Sequence, residues 1–141
     1  MIVIGADHAG YSLKEALKDF IINDLQLEII DMGTNSTASV DYPEIAQSVA
    51  QVVAEGEADA GIIICGTGIG VSIAANKVKG IRAALCHDTY TAIMSKKHNN
   101  ANLLALGART TLLENAIPIV ENWLKTEFEG GRHETRVKML E

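Results

Sequence analysis

The chain has 141 residues, with 12 basic and 18 acidic side chains for a formal charge of -6, and is 48% hydrophobic against 21% charged. That is material for one globular domain, residues 1–141, which at this mass buries roughly 70% of its unfolded surface and needs no disulfide or metal to hold it together. The acidic balance, with only two Phe, one Trp and three Tyr, argues against nucleic-acid binding, and no apolar run approaches the ~18 residues of a membrane span.

Short β-branched runs alternate with stretches of helical period, the pattern of βαβ units and a parallel sheet. The first predicted strand is 1–5, followed by Asp7 where a signal peptide would continue apolar. A helix follows, with Leu13, Ala16, Leu17, Phe20 and Ile21 on one face and Ser12 and Glu15 as a capping box. After a strand at 27–32, Asp41, Pro43 and Glu44 announce a second helix with a buried stripe of Ile45, Val49, Val52 and Val53. A strand at 61–65 leads into a glycine loop and a short third helix after Gly70, and a strand at 81–86 into a fourth helix capped by Asp88. The last strand is 103–106. Thr111 and Glu114 form a capping box for the fifth helix, but Pro118 would then sit inside it, which moves the expected start toward Asn115. Gly130 and Gly131 break that helix and leave a charged tail, 132–141, too short and polar to pack alone and expected to dock on a second copy. The fold expected is a three-layer α/β/α Rossmann-like domain on a five-stranded parallel sheet.

In such a sheet ligands bind at the carboxyl ends of the strands. Asp7 and His8 follow the first strand, Cys65-Gly66-Thr67-Gly68-Ile69-Gly70 the third, His87 and Asp88 the fourth, and Gly107-Ala108-Arg109 the fifth. His98 and Asn99 reach that edge only if their loop folds back. The glycine loop lets successive N–H groups converge on an anion, yet it is neither GxGxxG, since Val71 stands in the third glycine's place, nor a P-loop. It also reads as a plain tight turn. Cys65 just before it lies at a helix N-terminus, where free amides and the dipole favour thiolate. Cys86 reads as a small buried hydrophobe, and the absence of a CxxC pair fits a reduced, cytoplasmic protein. No Cys/His spacing makes a metal motif: Val137 stands where the second histidine of HExxH would be. His8 and His98 stand out by their polar neighbours, whereas His87 and His133 do not. Arg132 and Arg136, four apart, either clamp a phosphate together or form a solvated charged face.

Together Gly5 to Gly10, Asp41-Tyr42-Pro43, Ile64 to Gly70, Ser72 to Lys77, Gly80 to Ala83, His98 to Asn102, Leu106 to Arg109, and Phe128 to His133 with Arg136 resemble the ribose-5-phosphate isomerase B family. That group also holds galactose- and allose-6-phosphate isomerases. The resemblance implies a cofactor-free, metal-free aldose–ketose isomerase, a homodimer or tetramer with sites shared between subunits. It implies Cys65 as the base that moves a proton between carbons 2 and 1, the amides of Gly66, Gly68, Ile69 and Gly70 as donors to the enediolate, and Thr67 as a proton relay. His98 matches the ring-opening acid, Asp7 and Asn99 bind sugar hydroxyls, and His8, Arg109, Arg132 and Arg136 hold the phosphate. The intact Cys65 speaks against the galactose-6-phosphate subunits, in which that site is altered. The implied substrate is a sugar phosphate, ribose 5-phosphate first and a 6-phosphorylated hexose second; a non-catalytic phosphate-sensing module on the same fold is the more remote reading.

Overall fold

Along the third strand side chains alternate between two covered faces: Ile62 and Ile64 enter one apolar core, Ile63 and Cys65 the other. The computed structural model, which describes residues 1–141, builds these two cores from five strands and six α-helices. In chain order they are β1 (Ile2–Ala6), α1 (Tyr11–Asp19), β2 (Ile29–Asp31), α2 (Tyr42–Ala54), β3 (Ala60–Cys65) and α3 (Ile69–Asn76). Then come β4 (Ala83–Leu85), α4 (Thr89–Asn99), β5 (Leu103–Gly107), α5 (Leu113–Lys125) and α6 (Arg132–Met139). All strand pairs are parallel, in the order β2-β1-β3-β5-β4. Leu13 and Leu17 of α1, Ala92 of α4, and Ile119, Val120 and Trp123 of α5 cover one face; α2 and α3 cover the other. The three-layer architecture is the expected one. No helix is long and apolar enough to cross a membrane.

Four local expectations change. Ser12 does not cap α1, because the chain turns helical one turn earlier through a 3₁₀ segment, His8–Gly10. The Asp7 carboxylate caps it, accepting the N–H groups of Ala9 at 2.9 Å and Gly10 at 3.1 Å, which a serine one turn later cannot do. On α2 the buried stripe is Ala46, Val49, Ala50 and Val53, with Ile45 and Val52 only partly covered, since the alanines let the helix lie closer to the sheet. α5 begins at Leu113 and carries Pro118 inside it, while the Thr111–Glu114 box does not form and the Thr111 hydroxyl is buried without a partner. The proline's lost bond is outweighed by the burial of Ala116, Ile119, Val120 and Trp123, and the Asn122 amide donates to the Pro118 carbonyl at 2.8 Å.

The fourth change is that the tail, expected to be too short and polar to pack alone, packs on its own chain. Gly130 and Gly131, at φ +70° and +58°, turn the chain back, and α6 packs on α4 of its own chain. His133 and Val137, one turn apart, are its buried face; the Glu129 N–H donates to the Lys97 carbonyl at 3.2 Å, and Arg82 pairs with Glu141 at 2.8 Å. Two inward side chains and these bonds anchor a segment whose composition alone promised none.

At the other edge of the sheet Lys14 is fully buried, and Asp31 takes both it and Lys18 at 2.7 Å. Burial pushes the Asp31 carboxyl upward, but hydrogen bonds from Lys14, Lys18 and the Gly33 amide together hold it below the ordinary value. Asp31→Asn leaves the buried Lys14 ammonium only the partly exposed Glu15 carboxylate at 3.5 Å and is expected to cost about 3 kcal/mol in urea denaturation at neutral pH. A depressed carboxylate pKa gives stability that is complete above the unfolded value of about 3.9 and lost as pH falls through the folded one, so the gap between variant and parent should close below about pH 4.

Candidate active site

β1 and β3 are neighbours, yet the chain leaves β1 for β2 on one side and reaches β3 on the other. A crevice opens where the direction of winding reverses, at the carboxyl ends of those two strands. Asp7 follows β1 and Cys65 ends β3, so both line it. The resulting cleft, about 440 Å³, is walled by these two residues, the loop from Gly66 to Gly70, Tyr42 and Arg109; an adjoining hollow of about 510 Å³ shares Asp7 and Tyr42 and adds His8.

Glycines 68 and 107 make this corner possible. Gly68 sits at φ +79°, and a Cβ there would lie 2.5 Å from the Leu85 side chain. A Cβ on Gly107 would meet the Thr67 carbonyl carbon and oxygen at 2.6 Å, both backbone atoms that have nowhere to go. The two turns are then tied: the Ala108 N–H donates to the Cys65 carbonyl at 2.8 Å and the Arg109 N–H to that of Gly66 at 2.9 Å. Inside the loop the Gly68 N–H donates to Cys65 Sγ at 3.2 Å, and the Ile69 N–H to Thr67 Oγ1 at 3.3 Å. The N–H groups of Gly70 and Val71, in the first turn of α3, have no carbonyl of their own helix to bind and remain available to an anion. Asp7 is 7% exposed and spends one oxygen on its cap, while His8 accepts the Val40 N–H on Nδ1 at 3.2 Å, which leaves its proton on Nε2.

Asp7, His8, Cys65 to Gly70 and Arg109 thus share one edge. His98, Asn99, Arg132 and Arg136 do not. α4 starts at that edge, where Asp88 caps it by accepting the Thr91 N–H at 2.7 Å, and runs to the opposite edge, ending at Asn99. The five residues of β5 separate the two ends by about 15 Å, and the segment after α4 does not fold back. Arg132 and Arg136 lie together on the exposed face of α6, which packs on α4 and is remote from Cys65 of the same chain. At this second edge a hollow of about 370 Å³ is lined by Asn99, Asn76, Arg82 and Leu140.

One residue set aside on sequence acquires a place here. His133 is 5% exposed and its ring stacks on that of His98, centroids 4.3 Å apart and planes within 15°. Glu129 lies beside it, and His98, Glu129 and His133 bring their ligand-type atoms within 4.8 Å of one another. Sequence spacing carries no trace of this, because the pair meets only when the tail returns to α4.

The family described as Ribose/Galactose Isomerase matches residues 2–140. The ribose-5-phosphate isomerase B of Escherichia coli (strain K12) is 48% identical over 99% of this chain and 93% of that one. A protein of Pectobacterium atrosepticum named D-erythrulose-4-phosphate isomerase is 44% identical over 99% and 91%. A solved ribose-5-phosphate isomerase B from Clostridium thermocellum superposes with a TM-score of 0.96 at 55% identity, covering 99% of this chain and 93% of that one.

The two thiols face different surroundings. Cys65 borders a cleft and accepts an amide, whereas Cys86 is 1% exposed and burial pushes its thiol upward. Iodoacetamide labelling followed by peptide mass mapping should therefore modify Cys65 about tenfold or more faster than Cys86; equal rates would contradict the contrast.

Proposed function

The chain belongs to the ribose/galactose isomerase family and is a sugar-phosphate isomerase; on that premise we propose that it interconverts ribose 5-phosphate and ribulose 5-phosphate through a cis-enediolate, with Cys65 as the base and no metal. The observation that carries this reading is Cys65 at the winding switch, its sulfur accepting the Gly68 N–H beside Asp7 and Arg109. A thiolate so held takes the proton from carbon 2 of the opened aldose and returns it to carbon 1. Negative charge then develops on the two sugar oxygens, and the unbonded amides of the first turn of α3, beside Cys65, are the preorganised donors for it in this reading. Thr67, exposed at the rim, passes the proton from one oxygen to the other. Asp7 and Asn99 bind hydroxyls, and His8, Arg109, Arg132 and Arg136 hold the phosphate.

This assignment needs His98, Asn99, Arg132 and Arg136 at an edge they do not reach within one chain. We therefore assign them to a second copy, whose far edge covers the Cys65 cleft of the first; two-fold symmetry makes two such sites at once. Exposed apolar residues at both edges suit the contact: Ile69 and Ile73 beside Cys65 are 53% and 57% exposed, and Met139 and Leu140 at the tail 80% and 62%. A second reading, an isomerase of a 4-phosphorylated tetrulose, has the Pectobacterium relative in its favour. Assaying tetrose, pentose and hexose phosphates side by side separates the readings.

Cys65→Ala should lower turnover by about 10²-fold or more with an unchanged thermal melt, and a variant of near-parental activity would remove the base assignment. Chelation by EDTA should leave turnover unchanged. Mixing inactive Cys65→Ala with inactive His98→Ala protein, after unfolding and refolding together, should restore about a quarter of parental activity, because half the dimers are mixed and each mixed dimer has one intact site. No recovery would place both residues in one chain's site.

A further inference from the structure

We propose that His133 is a positioning residue for sugar ring opening: its buried imidazole, stacked against His98, fixes the plane in which His98 presents its proton. The inference rests on the reading of His98 as the ring-opening acid. Opening a furanose breaks the bond between carbon 1 and the ring oxygen. A proton goes to that oxygen while the anomeric hydroxyl gives one up, so the acid must be aimed at one atom.

A catalytic imidazole is ordinarily aimed by a hydrogen bond to its other nitrogen. His98 has none within the chain: it is half-buried near the end of α4, and the ring that restrains it is His133 at 4.3 Å. His133 is itself enclosed, with its side chain 6% exposed. Val137 is buried one turn further on, and the His133 N–H donates to the Gly130 carbonyl at 3.1 Å.

Two other roles fit less well. As a metal set, His98, Glu129 and His133 have suitable chemistry, but planes within 15° of parallel keep the two imidazole lone pairs from converging on one ion. As mere filling, a histidine is a poor choice: its Nε2 is buried without a hydrogen bond, and Glu129 Oε1 stands off at 3.6 Å, so a leucine would pack there at lower cost. The flat ring is what a leucine lacks. The same helix carries Arg132 and Arg136 on its outer face, so the stack also sets the distance between the phosphate grip and the acid.

The test compares a step that needs ring opening with one that does not. Ribulose 5-phosphate cannot close a five-membered ring, because the hydroxyl that would close it carries the phosphate. Exchange of its carbon-1 proton into D2O, followed by NMR, therefore reports Cys65 chemistry alone. Conversion of ribose 5-phosphate also requires opening. His133→Leu should lower ribose 5-phosphate turnover about tenfold while leaving ketose exchange within about twofold, and His133→Phe, which restores a flat ring, should recover most of the loss. His98→Ala is the control and should show the same split, larger. Equal loss of both activities in His133→Leu, no loss in either, or a phenylalanine variant as impaired as leucine overturns the positioning role. If His98→Ala shows no split, the reading of His98 as the acid falls instead.

Discussion

The corner where the turns after β3 and β5 meet is the constraint on which the site depends. Two backbones approach there more closely than any side chain at position 107 would allow, because a Cβ would stand 2.6 Å from Thr67 main-chain atoms. That approach lets Ala108 and Arg109 bond the carbonyls of Cys65 and Gly66, and this pairing fixes where the loop departs from the strand. Gly68 in a left-handed conformation then swings its own N–H back onto the Cys65 sulfur, and α3 begins with its free amides facing the cleft. Position of the thiol, direction of the amides and proximity of Arg109 are therefore one geometric fact rather than three.

Charge is distributed to match. A net charge of -6 predicts repulsion of a phosphate, but three of the four arginines, Arg109, Arg132 and Arg136, belong to the two groups of residues assigned to substrate. The fourth, Arg82, is spent on Glu141 and on the Asn100 carbonyl, which secures the tail and the end of α4. In the proposed site local field and net charge have opposite signs, because clefts respond to nearby groups while distant surface carboxylates are screened within about 10 Å.

What the sequence revealed follows physical range. Strands and amphipathic faces were legible because burial on two sides of a parallel sheet imposes its pattern on neighbouring residues; all five strands lie where apolar runs placed them, with ends shifted by one or two positions. The Cys65 loop was legible because its glycines, at 66, 68 and 70, fall within one short stretch of chain. Errors arose where a distant contact outweighed a local signal. Ser12 lost to Asp7 because the carboxylate reaches two amides, and Pro118 stayed helical because Trp123 and its neighbours needed cover. Nothing local marks His133, because its partner ring, His98, lies far back in the chain and no local pattern encodes that meeting.

The split of the assigned residues between two edges has a consequence for how the fold carries its chemistry. A parallel sheet delivers its strand ends to one edge only, so a chain this short has one set of loops there, and Asp7, His8, the glycine loop and Arg109 fill it. In the proposed assignment the further groups for ring opening and phosphate binding come from the opposite edge, which carries the end of α4 and the returning tail. Docking α6 on α4 of its own chain forms that second edge before any partner arrives, with His98 stacked on the helix that carries both tail arginines. In the proposed dimer each copy then contributes two preformed halves, and association orders little beyond side-chain tips. Rigid halves lose less entropy on joining than a tail that folded only upon contact, which favours a persistent pair over a transient one.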